Sequence, residues 1–227
     1  MSEIGSGDEG PEGRVIQLSS NCHLQDINMA VPLILASCSD IRATLLRQAG
    51  LQFTVEPARV DESALRDALE AEGAPPRDIA DALAALKAQK VGSKHPDAWT
   101  IGCDQVLEYE GQILSKPHSP QEALTQLQRL SGSTHRLLSA VVVYGDGAPL
   151  WRHIGQVRLT MRPLSDGYIS AYVDRNWDSI RHAVGAYKLE EEGVRLFSRI
   201  EGDYFTVLGL PLLELLSYLI TRGTVET

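Results

Sequence analysis

The stretch Leu33-Ile-Leu-Ala-Ser-Cys-Ser-Asp-Ile-Arg42 begins as an apolar strand, passes through small polar residues and then opens a helix. A second stretch, Ile101-Gly-Cys-Asp-Gln-Val106, has the same form, and Ser115-Lys-Pro117 follows it across an apparent turn. In α/β folds, ligands bind where such strands end. The two stretches therefore predict one site built from both strand ends.

The polar residues at these strand ends suit a phosphorylated ligand. Ser37 and the backbone amides around Asp40 would face an anion at a helix start, and Arg42 adds a full positive charge. Asp104 is a lone carboxylate at the end of the second strand, and Lys116 follows twelve residues later. A carboxylate facing several cations indicates chemistry on a phosphorylated small molecule.

The composition limits the class of protein. The 227 residues are 43% hydrophobic and 22% charged, which is enough to bury a core as one domain or as two closely packed lobes. A net charge of −9 argues against nucleic-acid binding, which depends on many Lys and Arg contacts to phosphates. Three cysteines in unrelated contexts favour the reducing cytoplasm. Without an apolar run of eighteen residues or a signal peptide, neither secretion nor membrane spanning is expected.

The chain divides into a tail and one domain. Residues 1–28 are rich in Gly, Glu, Ser and Asp, which predicts a disordered N-terminal tail. The domain covers residues 29–227, and Met29 is an alternative start just before the first strand. The sequence leaves open whether the domain forms a homodimer.

Periodicity and cap signals predict a mixed α/β order. Ser119-Pro-Gln-Glu122 provides an N-cap, a proline at the first helical position and a capping-box glutamate. Gly145-Asp-Gly147 separates two apolar, partly alternating segments and predicts a hairpin. The predicted strands are 31–36, 52–55, 100–107, 136–144 and 151–162. One helix is predicted to follow Arg42, and five more are predicted at 63–72, 76–91, 120–130, 165–174 and 211–221.

Nine short motifs, in order from Leu33 to Leu219, make the chain resemble the Maf family of nucleoside triphosphate pyrophosphatases. Each motif alone is weak, but nine in the right order over nearly the whole domain are specific. They are Leu35-Ala-Ser-x-Ser39 with Arg42, Asp61-Glu62, Leu83-Ala-x-x-Lys-Ala88, Ile101-Gly-x-Asp-Gln105, Ser115-Lys-Pro117, Leu130-Ser-Gly-x-Thr-His135, Gly185-Ala-Tyr187, Ile200-Glu-Gly-Asp203 and Leu208-Gly-Leu-Pro-Leu212.

The resemblance implies a fold and an activity. The fold would be α/β, a mixed elongated β-sheet flanked by helices in two lobes around a cleft, as in inosine triphosphatase-like proteins. The activity would be metal-assisted hydrolysis of a nucleoside triphosphate to the monophosphate and pyrophosphate by an attacking water. Such catalysis is mostly positioning and charge neutralisation.

The resemblance also implies roles for single residues. Asp104 would be the general base, and Glu62 with Asp104 would hold Mg²⁺ or Mn²⁺, which prefer carboxylate and water oxygens. The triphosphate would be bound by four further side chains, Ser37, Arg42, Lys87 and Lys116.

Three positions bear on the base. Similar enzymes acting on dTTP and UTP have Arg, Thr and Gln where this chain has Ile41, Gln105 and Glu190. The branch that prefers 7-methyl-GTP has Trp, Gln and Glu there, so two of the three positions resemble this branch. A carboxylate at Glu190 can accept from the N1–H and amine of guanine. Ile41 departs from the branch because it cannot stack on a cationic ring as Trp does.

Two alternatives stay open at this point. The chain could be a dTTP- or UTP-type pyrophosphatase of the same family. It could instead be a non-catalytic nucleotide-binding regulator of septum formation, the process that gives the family its name. The carboxylates Glu62 and Asp104 favour an enzyme, because a pure binding module has no need of a metal-side carboxylate pair.

Overall fold

The computed structural model describes residues 31–226. The predicted tail at 1–28 and the alternative start at Met29 lie outside these residues. The strands are β1 (Leu33–Leu35), β2 (Thr54–Val55), β3 (Trp99–Tyr109), β4 (Gln112–Leu114), β5 (Thr134–Gly145), β6 (Ala148–Met161) and β7 (Phe197–Glu201). The helices are α1 (Asp40–Gln48), α2 (Glu62–Ala71), α3 (Pro76–Gly92), α4 (Pro120–Leu130), α5 (Asp166–Ile180), α6 (Tyr204–Val207) and α7 (Leu212–Thr221).

All seven strands form one mixed sheet. The order is β2-β1-β3-β5-β6-β7, and β4 pairs with β3 beside this path. β1 runs parallel to β2 and β3, whereas every other pairing is antiparallel. The prediction of a mixed β-sheet flanked by helices is confirmed. No helix within residues 31–226 is long and apolar enough to span a membrane.

The predicted hairpin is formed by β5 and β6, which lie between β3 and β7 in the sheet. Gly145 pairs with Ala148, so that Asp146 and Gly147 make a two-residue turn. Their φ angles of 51° and 78° are those of a type I′ turn, whose twist matches the flanking strands. Along the second half of β6 the buried side chains alternate with exposed ones, as the sequence pattern predicts.

Helix α3 covers one face of the sheet at very short range. Ala80, Ala84 and Ala88 pack there against Val106 and neighbouring β5 residues. A side chain at Gly102 would overlap the backbone oxygen of Ala84, so only glycine permits this approach. The main core, with α1, α4, α5 and α7, lies on the opposite face. Residues of β3 with even numbers therefore face α3, and those with odd numbers face the main core.

One edge of β3 is left open in its middle. β5 pairs with residues 100–108 along one edge. On the other edge, β1 pairs with residues 99–101 and β4 with residues 107–109. Among the described residues no strand pairs with 102–106 on this edge. This open edge segment, residues 102–106, creates a gap with Asp104 at its centre.

The structure differs from the predicted elements mainly in the last third of the chain. Helix α5 continues six residues beyond the predicted end at Asp174, because Ile180 is buried in the main core and extends the apolar stripe of the helix. The segment 184–202, for which no element was predicted, contains two 3₁₀ turns and β7. Helix α6 follows it and is capped by Asp203, which accepts from Thr206 N at 2.7 Å. These elements are too short for periodicity to reveal them.

Candidate active site

A single lysine joins two carboxylates at the open edge segment. Lys87 Nζ lies 2.6 Å from Asp104 Oδ1 and 2.9 Å from Glu62 Oε1. The side chains of Lys87 and Asp104 are each 9% exposed, whereas that of Glu62 is 37% exposed. Three predicted site residues from α3, β3 and α2 are therefore in direct contact, and Glu62 opens the cluster to solvent.

The local sequence explains why Lys87 points inward. It lies on the face of α3 that carries Ala84 and Ala88, whose small side chains let the helix approach β3. A lysine is rarely buried unless its charge is paired. Asp104 has an even number on β3 and thus faces α3, where it provides that pairing.

Glu62 begins α2, directly after the N-cap Asp61, which accepts from Ala64 N at 3.0 Å. Burial raises the pKa of Glu62, but the opposing charges of Lys87, Lys116 and Arg66 outweigh burial, and the net result is a pKa below the usual 4.5. Glu62 is therefore ionised at neutral pH and available to bind a cation.

Arg42 is held at the other end of the gap. Its Nη1 donates to Cys103 O at 3.1 Å and to Ser37 Oγ at 3.3 Å, and its Nε donates to Gly209 O at 2.8 Å. Ser37 Oγ also accepts from Ser39 N at 3.2 Å, which shapes the turn into α1. Arg42 and Ser37 thus lie together, beside the β3 residue that precedes Asp104.

Lys116 lies on the exposed turn after β4. Its charge acts on Glu62, which puts it on the Glu62 side of the gap. The turn is fixed by Gln126 Nε2, which donates to Ser115 O at 2.9 Å, and by Arg66 Nη1, which donates to Ser115 Oγ at 3.0 Å. Sequence reasoning missed Arg66, although its spacing of four residues from Glu62 on a predicted helix could have revealed it.

The three specificity positions are spread more widely. Gln105 faces away from Asp104, and its Nε2 lies 2.9 Å from Ser139 Oγ, 3.1 Å from Thr206 O and 3.0 Å from Val207 O. Ile41 is half-buried against the main core. Glu190 is exposed and influences the pKa of Tyr172 on α5. Gln105 is thus engaged in fixing α6, and Glu190 presents an exposed carboxylate near α5.

The cysteines do not add a nucleophile to this arrangement. Burial raises the pKa of the Cys103 thiol to about 11, so the reactive thiolate is scarce at neutral pH. Cys38 is exposed and Cys103 is fully buried, and neither is in a disulfide. Within residues 31–226 no three His, Cys, Asp or Glu side chains form a group able to hold a metal ion by themselves.

The fold and this cluster define an α/β protein with a buried lysine–carboxylate cluster at an interrupted sheet edge. Sequence comparison assigns it further. The Maf-like protein family matches residues 32–222, and the chain belongs to this family. The resemblance derived from the nine motifs is therefore confirmed.

Relatives of this chain carry two kinds of name. A "Nucleoside triphosphate pyrophosphatase" of Ruegeria pomeroyi is 64% identical over 199 residues, which cover 88% of this chain and 100% of the relative. A protein of the same name from Sphingopyxis alaskensis is 51% identical, with 84% and 97% covered. A "7-methyl-GTP pyrophosphatase" of Brucella abortus is 48% identical, with 84% and 96% covered. Both names agree with the pyrophosphatase prediction.

Proposed function

We propose that this protein hydrolyses a nucleoside triphosphate to the nucleoside monophosphate and pyrophosphate. The observation that carries the proposal is the contact of Lys87 with both Asp104 and Glu62, at a gap that Arg42 and Lys116 flank. Carboxylates and cations in this arrangement can activate water and neutralise a triphosphate at the same time. The names of the relatives support the same reaction.

In the proposed reaction, the oxygen of a water molecule forms a bond to the α-phosphorus. The bond between this phosphorus and the oxygen bridging to the β-phosphorus breaks, and its electron pair leaves with pyrophosphate. Asp104, which Lys87 holds in place, accepts the proton of the water as general base. Ser37, Arg42, Lys87 and Lys116 bind the phosphate oxygens and hold them in line with the water.

A divalent cation, Mg²⁺ or Mn²⁺, fits the donor set. Glu62 and Asp104 each use one carboxylate oxygen on Lys87 and have a second one to offer. Mg²⁺ is commonly held by one or two carboxylates together with substrate phosphates and water. When bound, the cation neutralises phosphate charge and polarises the reacting phosphoryl group. Lys87 keeps the two carboxylates together, on the side of the gap where the cation would bind.

We further propose a guanine-type base, with 7-methyl-GTP as one candidate substrate. The exposed carboxylate of Glu190 can accept from two donors of guanine and offsets the charge of a methylated ring. Ile41 offers packing to the base but no aromatic face. A preference for dTTP or UTP is the competing outcome within the same activity.

The cytoplasm is the location we propose, because free cysteines and a nucleotide substrate both suit a reducing compartment. A homodimer stays a prediction, which the elution volume of the purified protein on size exclusion would decide.

The decisive experiment is a panel of canonical and methylated nucleoside triphosphates, assayed for pyrophosphate with Mg²⁺, with Mn²⁺ and with chelator. We expect pyrophosphate and monophosphate in equal amounts, with metal only. Tight nucleotide binding without pyrophosphate would favour the non-catalytic regulator instead. Release of inorganic phosphate in place of pyrophosphate would contradict attack at the α-phosphorus.

A further inference from the structure

Helix α2 turns charged residues toward the gap, where an amphipathic helix would normally present apolar ones. Four of its residues are partly buried, Glu62, Leu65, Arg66 and Leu69, and the other six are exposed. The partly buried positions follow the spacing i, i+3, i+4 and i+7 of an inward stripe. Two of the four side chains are charged, so this stripe of α2 faces the polar gap as well as apolar neighbours.

The guanidinium of Arg66 is only partly used by the protein. Nη1 donates to Ser115 Oγ at 3.0 Å, whereas Nε is buried without a hydrogen-bond partner. An unpaired buried donor is costly, and an acceptor supplied by a ligand at this position would relieve that cost. Arg66 also helps to lower the pKa of Glu62, which puts its charge close to the proposed metal side of the gap.

The cations are unevenly distributed along the gap. Lys87 contacts Glu62, and Arg66 contacts Ser115, the neighbour of Lys116. Arg42 is bound to the backbone of Cys103 at the other end. Pyrophosphate carries most of the negative charge of a triphosphate, and electrostatics favours it at the end with three cations. A planar guanidinium matches two phosphate oxygens at once.

We propose that Arg66 is a substrate-binding residue that contacts the β- and γ-phosphates, the half released as pyrophosphate. This inference rests on the proposed function. Nε and the free Nη2 would donate to this half, and Nη1 would keep its bond to Ser115. Arg66 and Lys116 together would then stabilise the negative charge that develops on the leaving pyrophosphate.

The test measures pyrophosphate affinity directly by calorimetry with Mg²⁺ present, and also as product inhibition of hydrolysis. Arg66→Gln should weaken pyrophosphate binding by about 10- to 100-fold, the usual effect of losing hydrogen bonds to a charged group. Arg66→Lys should recover part of the affinity, because lysine keeps the positive charge but lacks the two parallel N–H donors of a guanidinium. Affinity for the nucleoside monophosphate should stay within about twofold in both variants.

Two controls separate binding from other roles of Arg66. Arg77→Gln removes an equal charge from the exposed start of α3, about 15 Å along the helix from Lys87, and should leave pyrophosphate affinity unchanged. Ser115→Ala removes the tether while the guanidinium remains. It should weaken pyrophosphate binding by less than about threefold, the smaller effect expected for a neutral partner.

Each outcome decides between the possibilities. Unchanged pyrophosphate affinity in Arg66→Gln would overturn the inference, and so would an equal loss in Ser115→Ala, which would make Arg66 only a tether of the turn. Wild-type protein that binds pyrophosphate through Arg66 but hydrolyses no triphosphate would refute the proposed function and leave the binding role intact. Melting temperatures within about 3 °C of wild type identify variants that fold normally.

Discussion

Lys87 and Asp104 are in contact at 2.6 Å although one belongs to a helix and the other to the strand beneath it. The helix is held at this distance by glycine at position 102, where any side chain would overlap the backbone of α3. The distance between the lysine and the proposed base is therefore set by backbone packing. Changes that lift α3 from the sheet should damage catalysis even when both side chains are intact.

Asp104→Asn should lower turnover by about two to four orders of magnitude, the usual range for losing a general base. The asparagine keeps the shape and can still accept from Lys87, so we expect a cooperative thermal transition. The assay is pyrophosphate release at saturating substrate, and Asp67→Asn on the exposed side of α2 is the matched control. Turnover near that of wild type in Asp104→Asn would exclude Asp104 as the base.

Gly209→Ala should raise KM by about tenfold through Arg42. Gly209 has a φ of +90°, and an added Cβ would lie 3.0 Å from Arg42 Nη2 and 3.1 Å from Nε. Gly73→Ala is the matched control, because Gly73 has a φ of +76° but no atom near its added Cβ. Both variants should lose about 1–2 kcal/mol of stability from the left-handed backbone. Equal KM values for the two variants would contradict the role of Arg42.

His135 should make the folded state less stable in mild acid. Burial lowers the pKa of His135 from 6.5 to about 4, against a smaller opposing effect of Glu108. Between pH 6.5 and 4 the unfolded chain thus binds more protons than the folded one, and stability falls as the pH falls. At about 1.4 kcal/mol per pKa unit, the loss is on the order of 3 to 4 kcal/mol at most.

The measurement is urea unfolding of wild type and His135→Gln at several pH values from 7 to 4. The variant should be less stable at pH 7, because Tyr187 OH loses its 2.7 Å contact with His135 Nε2, but its stability should depend less on pH. His118→Gln, at an exposed position, should keep the wild-type slope. Parallel pH dependence of wild type and His135→Gln would disprove this explanation.

Glu190→Gln should shift preference away from guanine-type and 7-methylated triphosphates toward pyrimidine ones. An amide both donates and accepts, so a donor of guanine loses its partner, at a cost of about 1–3 kcal/mol. Ile41→Trp should act in the other direction by adding a face for a cationic purine. The readout is the ratio of kcat/KM between 7-methyl-GTP, GTP, dTTP and UTP. If neither ratio moves, these two positions do not recognise the base.

Local signals predicted much of the fold. Ser119 caps α4 by accepting from Glu122 N at 3.2 Å, and the turn at Asp146 and Gly147 closes the hairpin, because both features depend on a few consecutive residues. Even here the glutamate of the expected capping box reaches His118 N, one residue before Ser119. Helix α5 was predicted six residues too short, since burial of Ile180 depends on distant elements.

The site was less accessible to sequence reasoning. The motifs gave the residue types, but the gap on β3 arises from the registers of β1 and β4, which no local pattern determines. The contact of Arg66 with Ser115 and that of Arg42 with the carbonyl of Gly209 join separate elements, and no local pattern predicts them. The side chains of the adjacent residues Asp104 and Gln105 also lie on opposite faces of the sheet, and Gln105 is bound to α6.

The bond from Arg42 Nε to Gly209 O joins residues 167 positions apart, near the two ends of the domain. Closing such a long loop costs conformational entropy and is a late step in folding. The contact also raises the contact order of the chain. A growing polypeptide can therefore form the hairpin and α3 long before Arg42 is anchored. Catalytic competence should appear only when the C-terminal residues have joined the core, which makes activity a sensitive reporter of complete folding.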